Sequence, residues 1–193
     1  MTNRKNIITL PNAHLRQASK VVPAITPAIK KLVTDMETAT LDWEDSRPHE
    51  IGVALAAVQI DHHERVVIIR NDFDNKDDRG FFTLVNPEIT KTAGDIVYDY
   101  EGCLSVKDVY GRVPRYNKVK VRALSLDGEE IRLTAEGFLA RVLQHEIDHT
   151  HGILFVDHIK DQDAFYKLDK DGKLVELDYD KVRTSSVLWE RAA

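Results

Sequence analysis

The stretch Gln144-His145-Glu146-Ile147-Asp148-His149 constrains this chain more than any other. It lies in a run, Phe138 to His151, whose apolar residues recur at helical spacing. Helix positions four apart share a face about one turn apart, so His145 and His149 can offer two imidazole nitrogens to one divalent metal. Glu146 points roughly a quarter-turn away, close enough to touch a water at that metal without being a ligand. The bland alternative is a polar helix end carrying two solvated histidines. Phe138, Leu139, Val142 and Leu143 form the face to be buried, Thr134 is the expected cap, and Gly152 the expected stop.

With 193 residues, the chain suits one domain with a real core and is short for two. A net charge of −5 argues against a nucleic-acid-binding surface, which needs a basic field. No segment approaches the roughly 20 apolar residues that span a bilayer. The first residues, MTNRKNIITLPNAHLRQ, have no sustained apolar run, so a secretory signal is not expected. Cys103 is the single cysteine, which excludes an intrachain disulfide and fits a reducing cytoplasm.

Thr26-Pro27 reads as a helix start, with Ile29, Leu32, Val33 and Met36 periodic through about Ala39. LDWEDSRPHE, residues 41–50, then reads as a polar loop. The segment from Gly52 to Ile60 is small and apolar, with one amide, Gln59. Strands are expected over Val66–Ile69 and Phe81–Val85, the latter closed by Asn86-Pro87, and over Ile89–Tyr98 with a break at Gly94. Val119–Leu126 turns at Asp127-Gly128 and returns through Ile131 and Leu133, the clearest hairpin. The composition changes after Lys160. The expected organisation is one catalytic domain over residues 1–160 and an extension over 161–193, a small hairpin around Asp171-Gly172 followed by a polar tail. The fold class is α+β, with antiparallel strands packed around a central metal-binding helix.

Two histidines leave a catalytic ion short of a third protein ligand. Downstream candidates are His151, Asp157, His158 and Glu176, of which His151 has the wrong helical direction. Cys103 is chemically the better choice as a thiolate, although a free cysteine also serves as a small buried hydrophobe.

Three segments, GVALAAVQ, EGCLS and QHEIDH, in this order and spacing resemble the peptide deformylase family. The resemblance covers about residues 7 to 160 and is tightest from Glu101 to Phe155. It implies a metal held by Cys103, His145 and His149, and Glu146 as base. It further implies an oxyanion site made by the Gln59 amide and the Leu104 backbone N–H. Gly52, Val53, Ala54, Gly102, Arg141 and Val142 would then line the substrate. The implied reaction is hydrolytic removal of the N-formyl group from the formyl-methionine that starts a nascent polypeptide. The implied cofactor is one divalent ion, iron(II) in the cell, with zinc or nickel able to replace it in a purified protein. The implied partner is the nascent formyl-methionyl chain, with any ribosome contact transient. Glu101 is expected to meet Arg115.

The chain departs from the family pattern at several points. Ala54 replaces a second glycine, Lys107 stands where a proline is common, and the 41–50 loop is longer. Arg141 occupies a position expected to be an apolar wall of the methionine pocket. Either its guanidinium snorkels to solvent while its stem lines the wall, or it narrows the pocket and offers a cation to the substrate. The tail lacks the basic helix with which some members dock on ribosomes.

Overall fold

A computed structural model describes residues 6–47, 50–160 and 165–178, with positions 180, 182, 185 and 188. Most of the expected polar tail lies outside the described residues, as do positions 48 and 49 of the 41–50 segment. The described strands are β1 (Ala54–Ala56), β2 (Val66–Arg70), β3 (Phe81–Cys103), β4 (Val106–Leu124), β5 (Glu130–Glu136), β6 (Phe165–Leu168) and β7 (Leu174–Glu176). They pair antiparallel in the order β1-β2-β3-β4-β6-β7, with β5 also on β4.

Helix α1 (Pro27–Asp45) begins as its sequence dictates: Thr26 Oγ1 accepts from the Ile29 N–H at 3.4 Å, and Pro27 fills the first turn. It runs on through Leu41–Asp45, where a loop was expected. The reason is tertiary. Glu44, one turn after the buried Thr40, continues the inward face and is itself fully buried. Its carboxylate meets the buried Arg70 guanidinium at 2.9 Å and accepts from the Gly52 N–H at 2.9 Å. A glutamate on a polar stretch reads as a solvated residue until its partner, 26 residues away, is known.

β2 shows why two helices can share one sheet. Val67 and Ile69 join the cluster that packs under the second helix, whereas Val66 and Ile68 join the cluster under α1. All five residues of β2 are buried, so its apolar run serves both faces of the sheet. The expected breaks in β3 do not end it. They become register shifts against β4, between Val85 and Glu88 and between Ala93 and Ile96. Asn86 adopts a left-handed φ of 53°, held by hydrogen bonds in both directions between its side-chain amide and the Val22 backbone. The β4–β5 hairpin forms where the alternation placed it, pairing Val121 with Leu133.

Helix α2 (Gly137–His149) carries the HExxH stretch. Thr134 does not cap it, because that residue is paired with Lys120 inside β5. The N-cap is Glu136, and Gly137 at φ +61° turns the strand into the helix. The helix ends at His149, and Gly152 at φ +72° turns the chain away a few residues later. A Cβ at Gly152 would lie 2.3 Å from the Arg16 carbonyl oxygen, so only glycine permits that approach. Ala140, Leu143 and Ile147 seat α2 on Ala54, Ala56, Val119 and Val121 of the sheet. Among the described residues, no helix is long and apolar enough to cross a membrane.

Candidate active site

Three ligand-bearing side chains converge where β3 ends and α2 finishes. Cys103 is the last residue of β3, set by the tight turn Leu104-Ser105 that returns the chain into β4. Its Sγ lies 3.3 Å from His149 Nε2, and the rings of His145 and His149 are 4.9 Å apart. One ligand atom from each of the three falls within 4.8 Å of the others. Of the other candidates for a third ligand, Glu176 lies on β7 outside this cluster and the remaining three are engaged elsewhere. His151 Nδ1 bonds the Ile147 carbonyl, Asp157 binds Arg16, and His158 binds Asp148.

Glu101, two residues before Cys103, orients this cluster. Its Oε2 accepts a hydrogen bond from His145 Nδ1–H at 2.8 Å, which orients the ring and leaves Nε2 as the nitrogen available to a metal. Arg115 binds the same carboxylate through two nitrogens, at 2.9 and 3.1 Å, so the expected Glu101–Arg115 pair is present. Arg115 also holds Asp148 of the HExxH stretch at 2.5 Å, and His158 accepts a place on that carboxylate at 2.8 Å.

Arg141 differs from both sequence expectations. It is 6% exposed, and its guanidinium turns inward rather than into solvent or toward a substrate. It donates to Glu101 Oε1 at 2.8 Å and to the carbonyls of Val113 at 2.9 Å and Val97 at 2.7 Å. Arg141 also lines the cavity. A buried carboxylate facing two guanidiniums and an imidazole is the physical reason an Arg sits where an apolar residue was expected.

These contacts set the charges. Burial alone would push the Glu101 carboxyl up, but the hydrogen bonds from His145 and Arg115 outweigh it and hold it well below the usual range. Its stabilising contribution is therefore present above the ordinary glutamate pKa and is lost as pH falls through the depressed folded value. Burial opposes a charge on His145, yet Cys103 and Glu101 raise its pKa well above the ordinary value. Burial and the neighbouring His145 charge keep His149 neutral. The Glu146 carboxyl is pushed up to about 7, chiefly by burial. Its Oε2 is buried without a hydrogen-bond partner among the described residues.

Gln59 lies in a short 3-10 turn (Ala57–Ile60) after β1. Its Oε1 accepts from the Ala56 N–H at 2.8 Å, which aims Nε2 at Ser105 Oγ, 3.2 Å away, and toward Cys103 Sγ at 3.5 Å. A cavity of about 850 Å³ opens over this group, lined by Val53, Ala54, Gln59, Leu104, His145 and Glu146 among others, with Gly102 and Val142. Ala54 has a negative φ in β1, so its methyl costs the backbone nothing. Gly52 is not part of the wall. It is buried against α1, where a Cβ would lie 2.6 Å from Thr40 Cγ2, so this glycine serves packing. Ser105 and Asp148 lay inside the quoted motifs, yet their alternation and spacing carried no sign of these roles.

A model of the polypeptide deformylase family matches residues 4–165. The chain belongs to the polypeptide deformylase family. It is 42% identical over 161 residues to a peptide deformylase of Thermomicrobium roseum, covering 82% of this chain and 87% of that one. Against a peptide deformylase of Psychrobacter arcticus the identity is 36% over 171 residues, covering 89% and 88%. Among solved structures, a deformylase from Synechococcus elongatus in complex with actinonin is similar at a TM-score of 0.73 and 33% identity, with 81% of this chain and 80% of that one covered. One from Legionella pneumophila gives 0.69 and 39%, covering 80% and 85%. The mixed helix and antiparallel-sheet fold is that of peptide deformylases.

Proposed function

We propose that the deformylase activity of this chain is carried out at Cys103, His145 and His149, holding one divalent ion at the core of the fold on helix α2. The observation that carries this reading is the convergence of one thiol and two imidazoles within 4.8 Å beside a buried carboxylate oxygen lacking a partner. Three protein ligands with an open fourth position suit catalysis, and the thiolate–imidazole set accepts iron(II), zinc or nickel. When bound, the ion supplies Lewis acidity that makes water a nucleophile near neutral pH.

The chain's own residues do the rest. Glu146, buried beside the two histidines with one carboxylate oxygen unpartnered among the described residues, accepts a proton from the attacking water and returns it to the departing amine. The Gln59 amide, pinned by Ala56, stands beside Cys103 as a neutral donor to the formyl oxygen as it becomes an oxyanion, and the Leu104 N–H is placed in the same turn as Cys103. Val53, Ala54, Gly102 and Val142 wall the cleft for the formyl-methionyl end of a nascent polypeptide. That substrate places the enzyme in the cytoplasm, with any ribosome contact transient.

Metal analysis together with an assay on a formyl-methionyl peptide tests this reading. Wild-type protein is expected to hold near one equivalent of metal and release formate. Cys103→Ala should lose most of its metal and its turnover. Metal content unchanged in Cys103→Ala would instead favour a site with a downstream third ligand.

A further inference from the structure

We propose that the β6–β7 hairpin forms part of the substrate cleft, where Lys167 selects among nascent chains by the charge of residues beyond the formyl-methionine. This rests on the deformylase site described above.

The family match ends at residue 165, yet the chain beyond it is built into the sheet. β6 pairs with β4 through Tyr110–Tyr166 and Gly111–Phe165. Phe165 is 3% exposed, packed in a cluster with Val106, Val113 and Phe155. Gly111 sits close against two side chains, which would have to shift to admit a larger residue. A Cβ there would lie 2.1 Å from Ile159 Cδ1 and 3.0 Å from the Phe155 ring. The following turn is tied as firmly, since Asp169 Oδ1 accepts from the N–H groups of Asp171 and Lys173, each at 2.9 Å. Leu177 N–H returns to the Phe165 carbonyl at 2.9 Å. The hairpin is thus an ordered edge of the sheet.

That edge faces the site. Lys167, Leu168, Asp169 and Gly172 line the same cavity as Cys103, His145 and Glu146. A cavity of about 850 Å³ is larger than one formylated methionine fills, so the peptide continuing from it runs along this wall. Asp169 is occupied in its turn, whereas Lys167 is exposed. Asp169 keeps its charge but turns Oδ1 into its own loop, so Lys167 is the exposed charge of the hairpin on this wall, a cation that attracts acidic and repels basic residues a few positions along the chain.

The test compares wild type with Lys167→Glu in the metal-loaded full chain, on three substrates. One is formyl-methionyl-alanine, and two are formyl-methionyl pentapeptides ending in paired glutamates or paired lysines. In the variant, kcat/KM for the glutamate peptide should fall and that for the lysine peptide rise, each about three- to tenfold and mainly through KM. The dipeptide should change less than about twofold, and the contrast should shrink in about 0.5 M salt. Proportionate loss on all three substrates would mean a structural role and overturn the proposal, as would pentapeptide values that do not move. Failure of wild type to deformylate the dipeptide would instead strike the underlying site reading.

Discussion

Glu146→Gln is expected to keep its metal and lose about two to four orders of magnitude in kcat, because it removes the proposed base and none of the three proposed ligands. Near-normal turnover with full metal would refute the proton-transfer role. A second readout follows from burial. In metal-free protein the Glu146 carboxyl sits near 7, above the ordinary 4.5. A carboxyl whose folded pKa exceeds its unfolded value binds more protons when folded between those two values. Its contribution therefore becomes less favourable as pH rises through that window, and the full cost is present above about 7. That cost is at most roughly 3 kcal/mol, and an unpaired buried glutamine amide takes back about 1–2 of it. Chelated Glu146→Gln should therefore melt a few degrees above chelated wild type at pH 8, and show no such gain near pH 4. An equal difference at both pH values would show that ionisation of Glu146 is not the cause. Chelation matters, since a cation beside the carboxylate would lower its pKa and erase the contrast.

How much of this was legible in the sequence depends on whether a signal was local. The helix spacing of His145 and His149 and the β4–β5 hairpin both rest on neighbours within a few residues, and could be read directly. The continuation of α1 to Asp45 could not, because Glu44 looks solvent-facing until Arg70 is brought to it by β2. Thr134 has the chemistry of a cap, but sheet pairing with Lys120 claimed it. The family resemblance implied a substrate contact at Gly52. Its smallness is required instead by the 2.6 Å approach of Thr40 that a Cβ would suffer. In each case a long-range contact overrode a sound local preference.

Arg141 is the sharpest instance, and the expected result for Arg141→Leu differs from what a pocket residue would give. The guanidinium holds one oxygen of Glu101 and the carbonyls of Val97 and Val113, tying α2 to both β3 and β4. A leucine, much shorter than the arginine, can fill the apolar part of the space but satisfies none of these acceptors. Glu101 would keep Arg115 and His145, so the buried charge is not orphaned outright. The stability loss should then lie near 2–4 kcal/mol, below or at the range for breaking a buried pair completely. Metal affinity should fall about 10- to 100-fold, as it does when a group orienting a ligand is removed, because Glu101 would hold His145 less firmly. Selectivity between neutral and acidic formyl-methionyl substrates should stay within about twofold, since the guanidinium is committed to Glu101 and to the Val97 and Val113 carbonyls. Arg141→Lys should recover only part of the stability, because one ammonium cannot reproduce the planar fork. Thermal melting, chelator competition for zinc and the substrate pair decide the matter together. Unchanged melting and affinity with altered selectivity would return Arg141 to the substrate; the opposite pattern makes it the clamp that holds the Glu101–His145 pair in place.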